Sequence, residues 1–134
     1  MSRREAREYA FQLLYQMDIR RSDPLEQRET FLSEYPLDVS DTEYFDRVVT
    51  GVTSNAVEID AIYSPLLKGW KTERLPKVDV VLLRIATYEI RNCEDVPVSV
   101  SINEAVLLAK KYSTEESRAY INAVLGRIEP GPKQ

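Results

Sequence analysis

Val78-Asp79-Val80-Val81-Leu82-Leu83-Arg84-Ile85-Ala86-Thr87-Tyr88-Glu89-Ile90 is the stretch on which the fold turns. Its β-branched beginning, Val78–Leu83, fits a short buried strand, but that run is brief and RIATYEI carries the apolar phase on at helical spacing. Read as a helix after Pro76, the segment is apolar on nearly all sides through Val78, Val81, Leu82, Ile85 and Ile90. A helix of that kind belongs at the centre of a bundle. The class predicted is all-α.

On the N-terminal side, Ala6, Tyr9, Ala10, Leu13, Leu14 and Met17 trace one stripe of a helix over about residues 3–20. A shorter helix over 24–34 stops at Tyr35-Pro36, because proline disfavours a helical residue before it. From 41 to 64, Phe45, Val48, Val49, Val52, Ala56, Ile59, Ile62 and Tyr63 stay in phase. Gly51 and Thr53-Ser54-Asn55 divide that run into two helices. Beyond the Val96-Pro97-Val98 loop, helices are predicted over 102–112 and 114–127, with EPGPKQ a frayed tail. Capping boxes pair Ser2 with Glu5, Asp23 with Glu26, Ser40 with Glu43, Ser101 with Glu104 and Ser113 with Glu116. The expected organisation is a single compact helical domain over 1–128 and a flexible tail over 129–134.

Composition narrows the chemistry. At 134 residues with 43% hydrophobic and 30% charged side chains, the chain suits one globular core and offers no membrane span. Its N-terminus lacks the apolar run of a signal peptide, which predicts a cytoplasmic protein. No histidine is present, so His-based triads and zinc or di-iron sites are excluded. Cys93 is the single cysteine and has no base or cation beside it in sequence. Four isolated glycines spell no phosphate loop. These absences exclude much of enzymology and predict no cofactor and no metal.

Charge is unevenly spread within a net −4. Arg3, Arg4, Arg7, Arg20 and Arg21 make the first helix basic, while residues 22–63 set only Arg28 and Arg47 against a series of acids from Asp23 to Asp60. A segregated basic end can hold a phosphate backbone while the acidic body stays selective. On the first helix Arg4, Arg7, Phe11 and Tyr15 share one flank of the core stripe. Cations beside aromatics suit single-stranded RNA; the same residues also fit solvated surface and a widened core face. Lys110, Lys111, Arg118 and Tyr120 form a second basic-aromatic point, which helix-dipole complement explains equally well.

The blocks RREAREYAFQLLYQMD, WKTERLPKVDVVLLRIATYEI and DVPVSVSINEAVLLAKKYSTEESRAYINAVLGRI, in this order, resemble the NusB family over more than half the chain. The resemblance implies about seven helices and a bacterial factor of transcription antitermination. It implies binding to the boxA element of nascent ribosomal RNA together with the ribosomal protein NusE, in a complex with RNA polymerase. The family's arginine-rich N-terminus maps to Arg3, Arg4 and Arg7, and the tyrosine of its LY pair to Tyr15. The aromatic before the last Ile-Asn pair maps to Tyr120, with Glu116 in the acidic loop beside that RNA surface. Asp79 fills an acidic position implied in the NusE contact. The sequence departs from the family at Glu5, which interrupts the run of arginines. A related module forms the N-terminal part of some ribosomal RNA cytosine methyltransferases, where the chemistry resides in a separate cofactor-binding domain with cysteines for which this chain has no room, so a free-standing binding protein and not a truncated enzyme is expected. The competing reading is a helical scaffold or oligomerisation module without RNA contact. A monomer and a homodimer both remain open for the free protein.

Overall fold

The computed structural model describes residues 3–67 and 74–131. Ser2 of the first capping box, residues 68–73 of the predicted polar stretch and residues 132–134 of the predicted tail lie outside the described residues. Seven α-helices and no strand occur among them: α1 (Arg3–Ile19), α2 (Pro24–Glu34), α3 (Val39–Ser54), α4 (Ala56–Tyr63), α5 (Lys77–Asn92), α6 (Val98–Tyr112) and α7 (Glu115–Leu125). A 3-10 turn, Ser64–Leu66, follows α4. None of these helices is long and apolar enough to cross a membrane. The chain forms two compact units, Met1–Thr53 and Ser54–Gln134.

In the first unit α1 buries Ala6, Ala10, Leu13 and Leu14, most of the stripe its spacing predicts, and Phe11 beside it. Phe31 of α2 meets Tyr9 edge-on at 5.8 Å between centroids and stacks on Phe45 of α3 at 6.0 Å, so one ring joins three helices. Gln27 is buried yet satisfied: its Nε2 donates to the carbonyls of Arg20 and Ser22, and its Oε1 accepts from Gln16 Nε2 at 3.1 Å. That side chain closes the α1–α2 turn. Arg28 holds Asp46 with two bonds of 2.7 Å, fixing α2 to α3.

In the second unit α5 buries Val81, Leu82, Leu83, Ile85, Ala86 and Ile90 and packs against α4, α6 and α7. The strand reading of Val78–Leu83 is set aside, because the helical phase of RIATYEI runs unbroken from Lys77. Buried with these residues are Asp79, Thr87 and Glu89, polar positions that apolar periodicity does not anticipate. After α7 the chain returns to α5: Arg91 Nη1 donates to the Glu129 carbonyl at 3.0 Å, and the Gly131 N–H to the Ile90 carbonyl at 3.3 Å. A Cβ at 131 would stand 1.8 Å from the Arg91 carbonyl oxygen, so only glycine fits there. The described tail residues are thus held by α5.

Helix starts depart from the sequence in an instructive way. Asp23 caps α2 as expected, accepting from the Leu25 N–H. In place of Ser40, Asp38 receives the Asp41 N–H at 2.8 Å, one residue before α3 begins. Ser101 lies inside α6, which starts at Val98 directly after Pro97, a residue whose fixed φ favours entry into a helix. For α7 the cap is Thr114, whose hydroxyl accepts from the Ser117 N–H at 3.0 Å, and Ser113 ends α6 instead.

Candidate nucleic-acid interface

The first unit contributes a cluster of guanidinium groups. Arg3 and Arg7 stand one turn apart on α1, as Tyr44 and Arg47 do on α3. The Tyr44 ring, itself 2% exposed, has Arg3 over it at 4.4 Å, Arg7 at 5.3 Å and Arg47 at 5.9 Å from the centroid. Each contact is a cation–π interaction worth about 0.5–1 kcal/mol at an accessible site. The exposed guanidinium groups of Arg3 and Arg47 can each donate to a phosphate oxygen. Arg3, Arg4 and Arg47 are exposed. Arg7, expected beside Arg4 on the surface, is 3% exposed and offers no open donor edge. Arg47 lies among acids in the sequence, and the signal that marks it is its i, i+3 spacing from Tyr44.

The predicted flank of Arg4, Arg7, Phe11 and Tyr15 divides in the structure. Phe11 turns inward with Arg7. Tyr15 is half-buried, its ring 6.2 Å from that of Phe11 and tilted by 32°, so Phe11 supports it from behind.

The second unit places Glu116 and Tyr120 one turn apart on α7, the first exposed and the second half-buried. The Tyr120 hydroxyl donates to Asp79 Oδ2. Ser117 Oγ donates to the same oxygen and Ser113 Oγ to Oδ1, both at 2.6 Å. Asp79 is 0% exposed; three hydroxyl donors stand in for the water its carboxylate has lost, and its place in the first turn of α5 suits a negative charge. The expectation that Asp79 is a partner contact is corrected here. Its carboxylate is buried within the α5–α7 packing and offers no surface to another protein. Burial pushes the Tyr120 phenol well above the ordinary tyrosine range, and the hydrogen bond to Asp79 and that carboxylate's charge raise it further.

Arg3, Arg4, Arg7 and Tyr15 thus sit in the first unit and Glu116, Tyr120 and Asp79 in the second. Among the described residues no three His, Cys, Asp or Glu side chains converge as metal ligands. Cys93 is buried at the C-terminal cap of α5.

Comparison with known proteins agrees with this picture. Residues 4–130 match the model of the NusB family. The chain is 46% identical over 128 residues to the transcription antitermination protein NusB of Acetivibrio thermocellus, covering 96% of this chain and 88% of that protein. To the protein of the same name from Listeria monocytogenes serotype 4a it is 44% identical over 133 residues, covering 99% and 100%. Among solved structures, T. maritima NusB superposes with a TM-score of 0.90 at 37% identity, over 98% of this chain and 94% of that one. A crystal structure of the antitermination factors NusB and NusE in complex with double-stranded RNA superposes with a TM-score of 0.82 at 28% identity, over 92% of each chain.

Proposed function

Since the chain belongs to the NusB family, we propose that it is an antitermination factor that binds boxA-containing single-stranded RNA of ribosomal transcripts together with NusE, within the complex on RNA polymerase. The observation that carries this reading is the set of guanidinium groups at the Tyr44 ring, with Arg3 and Arg47 exposed and Arg7 buried. Guanidinium groups bind phosphates in a sequence-independent way and set the register of the strand. Unpaired bases then stack on accessible rings, and Tyr15 and Tyr120 are the half-buried aromatics in the assigned set. Arg4 adds a further cation at the start of α1, and Glu116 disfavours a phosphate on its own turn of α7, so it helps to steer the strand. The function is recognition, without a chemical step.

The test is a titration of labelled RNA carrying boxA against a scrambled RNA of equal length, each with and without NusE. Tighter binding to boxA, strengthened by NusE, is the expected result. Equal binding to both RNAs, with and without NusE, overturns boxA recognition. A folded protein that binds neither RNA supports the scaffold reading instead.

A further inference from the structure

The second unit contains a polar cluster that phosphate binding leaves unexplained. Asp79 is fully buried at the first turn of α5 and gathers three hydroxyls from Ser113, Ser117 and Tyr120, residues 34 to 41 positions away in sequence. Burying a carboxylate is costly, and an apolar residue there would stabilise the packing at least as well. The two serines could satisfy one oxygen each without a third partner. The third donor is the one side chain of the group that reaches the surface with an aromatic ring, since Tyr120 is half-buried while Ser117 is buried.

We propose that Asp79 is a positioning residue for RNA recognition, holding Tyr120 by its hydroxyl so that the accessible part of the ring is already set for a base to stack on it. The proposal rests on the RNA-binding reading above. A tyrosine on a helix surface otherwise exchanges between rotamers, and ordering it on binding weakens affinity by about two- to twelvefold. Anchoring the phenol from within the protein moves that cost from binding to folding. The same carboxylate bonds Ser113 at the end of α6 and Ser117 in α7, so the turn that carries Tyr120 is fixed along with its ring.

The experiment titrates boxA-containing RNA against the full chain and its Tyr120→Phe, Asp79→Ala, Tyr120→Ala and doubly substituted Tyr120→Phe/Asp79→Ala variants, all at a temperature where each is folded by circular dichroism. Tyr120→Phe keeps the ring and removes the hydroxyl; it is expected to weaken binding about three- to tenfold. Asp79→Ala should do the same, the double variant should be no weaker than either alone, and Tyr120→Ala should be weaker than all of them. In the spectrum of protein labelled at the tyrosine ζ carbon, the Tyr120 signal, identified by its loss in Tyr120→Phe, should shift and broaden in Asp79→Ala. A merely structural Asp79 would lower the melting temperature and leave RNA affinity unchanged in the folded variants, which overturns the proposal. So does additive weakening in the double variant. If Asp79→Ala does not fold, parent-like affinity of Tyr120→Phe overturns the proposal by itself. Failure of the parent protein to bind the RNA overturns the underlying reading and this one with it, a result distinct from normal parent binding with an unaffected Tyr120→Phe.

Discussion

Asp60 of α4 and Arg84 of α5 meet through two parallel charge-assisted bonds, Nε to Oδ1 at 2.9 Å and Nη2 to Oδ2 at 2.8 Å. The Arg28–Asp46 pair in the first unit has the same forked geometry, but Asp46 is 39% exposed against 27% for Asp60. Water therefore screens the first-unit pair more strongly. Arg84→Met should cost about 1–2 kcal/mol of stability and Arg28→Met about 0.5–1 kcal/mol. Urea denaturation of both variants checks the order, and a larger loss at Arg28 would contradict the ranking by exposure.

The arginines around Tyr44 should separate by experiment. Arg3→Ala and Arg47→Ala each remove an exposed cation, so each should flatten the salt dependence of RNA binding by up to about 0.7 units of slope with little change in melting. Arg7→Ala also removes a buried stem and should cost roughly 1–3 kcal/mol of stability. Unchanged salt slopes at both exposed positions would remove the cluster from the interface.

Alkaline pH should weaken the fold through its tyrosines. Burial raises the phenol pKa of Tyr63 and of Tyr120 in the folded protein. Below about pH 10, the ordinary tyrosine value, both states hold these protons and stability is unaffected. As pH rises above that, the unfolded chain ionises first while the folded protein keeps its protons, so stability falls. Tyr120→Phe should reduce the steepness of that fall by up to one proton, read from denaturation at several pH values between about 9 and 12. An identical slope in parent and variant would show that Tyr120 titrates alike in both states.

Capping gives a test of helix boundaries. Thr114→Ala deprives the Ser117 N–H of its acceptor and should cost about 1 kcal/mol. Ser40→Ala should be close to neutral, since Asp38 is the side chain that receives an amide at the start of α3. Thermal melts of the two variants distinguish these outcomes.

What the sequence made readable was periodicity. The span of α2, the division near Asn55 and the central place of α5 all follow from apolar spacing and proline, which act locally. Two caps were displaced by a residue or two because Ser, Thr and Asp stand close together at Asp38–Asp41 and Ser113–Thr114, and the backbone chooses among them. Asp79 was expected at a partner contact only through the family resemblance; its burial depends on hydroxyls distant in the chain. Arg7 also misled. Spacing placed it on the flank with Arg4, yet contact with a ring on α3 accompanies its burial, and no pattern within α1 contains that information. Arg47 was hidden by the acids around it.

The return of the chain to α5 makes position 131 a point where one methyl group decides whether the segment can seat. With glycine there, the backbone lies against Arg91, and a protease that requires extended, unattached chain finds none at Glu129–Gly131 until the segment lifts away. With alanine there, the segment cannot seat without displacing the main chain of α5, and trimming from the C-terminal side could advance as far as Ile128, where side-chain burial takes over. Resistance to trimming in this stretch is therefore set by the smallest residue in it.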